Sequence, residues 1–119
     1  MLTELAATPS STVAASVAAA EEIRRRRCDA TAMVERLAGR AHTAGLDHPV
    51  AAALALAARM SRLCGPEEFA AAAGLSSAEV VAAEAGAVPF GSLPRAYDAL
   101  FAAMGVDLLS LADLARTLH

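Results

Sequence analysis

The residue types that could do chemistry are few along these 119 residues. Nucleophilic catalysis needs a Ser or Cys near a base, yet Ser, His and Asp share no meaningful local spacing, and neither an HExxH motif nor a glycine-rich phosphate loop occurs. Cys28, Cys64, His42, His48 and His119 lack the spacing of a metal site. The expectation is a protein that is not an enzyme, with no catalytic residue, no metal and no cofactor, and with two reduced thiols. What remains is charge. "EEIRRRR", residues 21–27, is the one concentrated positive segment and suits phosphate oxygens. Glu21 with Arg25 and Glu22 with Arg26 have the favourable i,i+4 order, worth roughly 0.2–0.5 kcal/mol each, which leaves Arg24 and Arg27 free on one side. The competing reading is a solvated helix face, because four successive residues fan around most of a helix.

Composition narrows the class. Hydrophobic residues make up 56% of the chain and aromatics only 3%, with 33 alanines, so the core must be built from small side chains and helix formers. All ten cationic residues are Arg, and Lys, Asn and Gln are absent, a usage associated with GC-rich bacterial genomes. The net charge of -3 argues against a surface that attracts nucleic acid as a whole, though not against a local patch. The longest uncharged run, Leu5 to Ala20, is shorter than a membrane-spanning helix and contains Pro9, Ser10, Ser11 and Thr12. Glu4 stands where a signal peptide carries a cation. A cytoplasmic chain with no membrane partner is expected.

The elements that must position any site follow from punctuation. Ser10, Ser11 or Thr12 caps a helix carrying Val13, Val17, Ala20 and Ile23. Beyond it, either Asp29 caps a second helix with Met33, Val34, Leu37 and Ala41, or residues 12–43 form one rod with Asp29 on its surface. Gly45 ends that segment, Asp47 caps the next helix, and Pro49 occupies its first turn. Gly65 separates it from a helix opened by Pro66, Glu67 and Glu68, which Gly74 stops. Ser76 and Glu79 have capping-box spacing for a short helix over about 77–85, ended by Gly86. After a loop, Ser92 caps a helix with Leu93, Tyr97, Leu100 and Met104 on one stripe. Asp107 caps the last, with Leu108, Leu111, Leu114 and Ala115 inward. Nothing alternates with period two, so the fold class is all-α. The expected architecture is one compact multi-helix unit made of an N-terminal helical extension, 1–45, and a helix-turn-helix domain, 46–119.

Two short helices separated by "GLS" and flanked by longer ones have the ground plan of a helix-turn-helix domain. Residues 50–113 resemble the Xre family, the lambda-repressor-like DNA-binding domains. "EEFAAAAGLSSAEVVAAEAG" follows the family pattern without a gap: Phe69-Ala70 stand for Leu-Ala, Gly74 and Leu75 form the turn, Val80 and Ala83 point inward, and "EAG" at 84–86 stands for Glu-Asn-Gly. "LFAAMGVDLLSL" is similar to the family's closing segment, and the loop after Gly86 is about two residues longer than usual. The resemblance implies an ion pair between Arg59 and Glu84, and a reading face at Ser76, Ser77, Ala78, Val81 and Ala82. Phosphate-contacting candidates are Arg24, Arg27 and Arg62.

The departures from the family are as informative. The reading face holds none of the amide or guanidinium groups that make bidentate contacts to bases. From residue 46 onward four Arg face eight carboxylates, a balance of -4, and Glu79 lies near the expected groove. A smooth face of Ala78, Val81, Ala82 and Ala85 suits a protein contact, unless the N-terminal helices cover it. The expectation is a small bacterial transcriptional regulator that binds DNA as a homodimer. The alternative is a helix-turn-helix fold that has lost base readout and docks on a protein partner of transcription or assembly. Val13, Val17 and Ile23 suggest a self-association surface, against the plainer reading that they cover the core of the same chain.

Overall fold

The computed structural model describes residues 2–118, with side chains from residue 13 onward. It holds six α-helices and one 3-10 turn: α1 (Leu2–Thr43), α2 (Pro49–Ser61), α3 (Pro66–Ala73), α4 (Ser77–Glu84), the turn Phe90–Ser92, α5 (Ala96–Met104) and α6 (Leu108–Thr117). No strand occurs among the described residues. α1 is a single rod of 42 residues, about 63 Å long at 1.5 Å per residue, which matches the 64 Å longest dimension of the molecule. The helix passes through Asp29, which is exposed, and Ser10, Ser11 and Thr12 fall inside its span rather than capping it. The physical reason is propensity: from residue 10 to residue 38 the chain has neither Gly nor Pro and is dominated by Ala, Arg and Glu.

The core is organised around α2, which packs on α1, α4, α5 and α6. Ala53, Leu54, Ala57 and Ala58 of α2 are buried, and their small side chains let the neighbouring helices approach closely. Val34 and Ala38 of α1, Val80 and Ala83 of α4 and Leu111 of α6 close around them. Larger gaps are filled by a row of rings, with centroids 5.8 Å apart for Phe69 and Tyr97 and 5.7 Å for Tyr97 and Phe101. The core therefore includes the last turns of α1 as well as the chain after residue 46. The N-terminal half of α1 stands clear of it, and the radius of gyration of 18.6 Å exceeds the roughly 13–14 Å of a compact chain this long.

Three caps differ from the sequence reading. α2 is capped by His48, the residue directly before Pro49, so Asp47 is one position too early. The left-handed residue after α2 is Leu63, with φ of 52°, while Gly65 is extended and serves as N-cap of α3. α5 starts at Ala96 instead of just after Ser92, because Pro94 holds Leu93 extended, with ψ of 143°. Leu108, expected inward, is exposed. By contrast Gly45 takes a positive φ of 84°, and the N–H groups of Gly45 and Leu46 return to the carbonyls of His42 and Ala41 at 3.0 and 3.1 Å, a helix-ending double bond.

One buried polar side chain ties the rod to the body. The hydroxyl of Thr31 donates to the carbonyl of Arg27 at 2.7 Å and accepts the N–H of Asp107 at 2.9 Å. Asp107 then caps α6 by accepting from the Ser110 N–H at 3.2 Å and the Ser110 hydroxyl at 3.0 Å. These bonds hold its carboxyl below the usual carboxylate range, with the Ser110 N–H the largest cause.

Candidate functional site

The sequence of α3, its turn and α4 accounts for their geometry residue by residue. Gly74 ends α3 in the left-handed conformation, φ 72° and ψ 28°, and the N–H of Leu75 reaches back to the carbonyl of Ala70 at 2.8 Å. Ser76 Oγ accepts the N–H of Glu79 at 3.1 Å while Glu79 Oε1 accepts the N–H of Ser76 at 3.0 Å. This reciprocal pair satisfies two donors that the start of α4 would otherwise leave open.

With Val80 and Ala83 fully buried, helical periodicity turns the opposite side of α4 outward. Ser76, Ser77, Ala78 and Ala85 are exposed, Ala82 is half-buried, and Val81 keeps 56% of its surface in solvent. The N-terminal helix does not cover this face: α1 packs on α2 and α6, whereas α4 packs on α2 and α3. Beside it runs a shallow groove of about 370 Å³ lined by Ala78, Glu79, Ala82, Val88, Ser92 and Pro94. The face contains two hydroxyls, several methyl groups and one carboxylate, and no cation.

α4 is set against α2 by a forked ion pair. Arg59 Nε donates to Glu84 Oε2 and Nη2 to Oε1, both at 2.8 Å, with 20% and 14% of the two side chains exposed. Arg59 Nη1 also donates to the carbonyl of Cys64 at 3.1 Å. One guanidinium thus joins α2, the turn before α3 and the end of α4. The hydrogen bond to Glu84 raises the Arg59 pKa above its ordinary value, so the guanidinium stays charged. The Cys64 carbonyl had no signal in the sequence, because its position depends on the left-handed turn at Leu63.

The other end of α4 is locked by glycine. Gly86 has φ of 74°, and a Cβ there would lie 3.0 Å from that of Leu46. Its carbonyl accepts the N–H of His48 at 3.1 Å. The loop before α2 and the loop after α4 therefore touch backbone to backbone, at a residue whose positive φ favours glycine.

The cationic candidates do not gather on this face. Arg24 and Arg27 project from the rod, and Arg62 follows α2 in a groove shared with Cys64, Glu68, Phe69 and Leu100. Glu22 holds two arginines, Arg25 at 2.6 Å and Arg26 at 3.1 Å, so Arg25 pairs with Glu22 and not with Glu21. Arg24 and Arg27 have no ion-pair partner among the described residues. No metal-binding group occurs among the described residues, and Cys28 and Cys64 are free thiols; His119 lies outside those residues. No described helix is long and apolar enough to cross a membrane.

Among the described residues, one buried polar side-chain atom lacks a partner. The Tyr97 hydroxyl is buried without a hydrogen bond, and burial pushes its pKa up to about 12, with the Glu84 carboxylate adding to the shift. Comparison of the chain with family models, with curated proteins and with solved structures finds no match.

Proposed function

We propose that the protein is a regulator that uses a helix-turn-helix frame to present α4 to a protein partner, a component of the transcription or assembly apparatus. One observation carries this reading: the outward face of α4 is a smooth surface of Ala78, Val81, Ala82 and Ala85 with Val81 at its crest. Burying such a surface against an apolar partner is favourable at about 25 cal/mol per Å². The same surface offers a base edge only methyl contacts and two hydroxyls, without the bidentate contacts worth about 1–3 kcal/mol each. The balance of -4 after residue 46 further weakens attraction to phosphate.

Direct DNA binding is the second reading, supported by the intact turn and capping box, the serines at the first turn of α4 and the unpaired Arg24 and Arg27. One experiment separates the two. A photo-crosslinking amino acid at position 81, activated in the native cell, is expected to give a protein adduct of discrete mass. An adduct with DNA would favour the second reading, and its loss in an Arg24→Glu, Arg27→Glu variant would assign the phosphate contacts. No adduct of either kind would overturn α4 as the working face.

A further inference from the structure

We infer that the free half of α1 docks an acidic amphipathic helix of a partner protein, which lies antiparallel on the rod with its carboxylates over Arg24 and Arg27. At about 100° per residue, Val13, Ser16, Val17, Ala20 and Ile23 fall together with Arg24 and Arg27 within about 120° of the helix circumference. Val13, Val17 and Ile23 expose 64%, 51% and 60% of their surfaces, and neither arginine has an ion pair among the described residues. The opposite side of the rod carries Glu22, Arg25, Arg26 and Asp29, and there Glu22 holds both arginines. The rod thus sorts its charges. A self-neutralised side faces away from an apolar side that keeps two unpaired cations and no carboxylate.

Complementarity to this side calls for aliphatic groups together with carboxylates. Phosphate oxygens answer the arginines but leave the valines and the isoleucine in water, so duplex DNA satisfies half of the face. A bilayer supplies both chemistries, but the body blocks it. Thr31, Val34 and Ala38, buried where α1 meets the body, continue the same arc, and Thr31 accepts the N–H of Asp107 at the start of α6. The body therefore stands on this side of the rod, and only a narrow element fits along it. A helix, about 10–12 Å across, does.

Direction follows from the same charges. Carboxylates stabilise a helix in its first turn, so the partner's N-terminus lies at Arg24 and Arg27, and its chain runs outward over Ile23, Ala20, Val17 and Val13. Starting at the level of Arg27, it stays clear of α6. Its positive end faces Glu35 and Asp107, which border Arg27 in the corner between rod and body. The contact over residues 13–27 is about 21 Å long and belongs to the small, transient class of interfaces. Exposed at its edges, it weakens as salt rises.

The test uses the full chain and needs no ligand of α4, so its outcome is independent of what α4 binds. Fluorescence anisotropy is read with labelled, Ala-rich synthetic helices of about 16 residues that share one aliphatic stripe. They carry Glu in the first turn, the same Glu in the last turn, or Lys in the first turn. The acid-first peptide should bind. Arg24→Ala with Arg27→Ala, and separately Val17→Ser with Ile23→Ser, should each weaken it at least about tenfold. Arg25→Ala with Arg26→Ala removes as much charge from the other side and should change it less than about twofold. No binding, equal binding of the acid-last or lysine peptide, or equal losses for the two alanine pairs would each overturn the inference. So would tighter binding of duplex DNA or phosphatidylglycerol vesicles through Arg24 and Arg27. The substituted residues lie outside the core, circular dichroism reports the rod, and the buried Tyr97 reports that the body stays folded.

Discussion

Arg59 reaches three segments through one planar group, so its removal leaves the Glu84 carboxylate and the Cys64 carbonyl without their donor. Arg59→Ala is expected to cost about 2–4 kcal/mol and to lower the melting temperature by about 10 °C or more. Arg59→Lys restores only part of this, since an ammonium cannot fork. Arg116→Ala removes an exposed pairing with Asp113, and its effect should be near zero; equal losses in thermal melts would refute a structural role for the inner pair. Tyr97 is the chain's single tyrosine, and the chain has no Trp, so absorbance near 295 nm follows one group. Its phenol stays neutral in the folded protein to about pH 12, whereas in the unfolded chain it ionises near about 10. Stability is therefore intact below about pH 10 and falls as pH rises from there to about 12. Because the hydroxyl has no partner, Tyr97→Phe should be neutral or stabilising and should abolish that alkaline dependence.

At the scale of the elements, glycine and strain can be separated by experiment. Gly86→Ala places a Cβ in the left-handed region and 3.0 Å from Leu46, and should destabilise by at least about 1–2 kcal/mol. Leu63 is the reverse case, a left-handed residue with an exposed side chain. Leu63→Gly should raise stability by about 0.5–1 kcal/mol in denaturant titrations, and a loss would mean its side chain has a contact in solution. Much of this level was legible in the chain: Gly74, the Ser76 and Glu79 pair and Asp107 each act locally, within a turn of helix. The shifts at His48, at Leu63 and at the start of α5 were not: the first and last depend on a neighbouring proline, and a left-handed leucine carries no marker in the chain. The outward face of α4 followed from its own periodicity, but its freedom from α1 did not, since that depends on where the rod docks. Thr31 gave no signal either, as its partner Asp107 lies 76 residues away.

For the whole molecule, the projecting rod differs from the body in both charge and packing. Residues 13–29 carry four Arg and three carboxylates, a balance of +1, against -3 for residues 30–119, and the projecting half of α1 is exposed along almost all of its described length. Native-state hydrogen exchange should therefore show two levels, with amides of residues 13–29 far less protected than those of α2. Uniform protection at high dilution would contradict the separation of rod and body. The exposed rod also bears on how long the chain survives. A helix held by propensity alone opens often, and the segment that opens contains four consecutive arginines, which trypsin-like proteases cut. The rod is thus clipped at Arg24–Arg27 while the body stays folded. The rod is then the point at which degradation begins, and limited trypsin digestion should release it early while a fragment containing α2 to α6 resists.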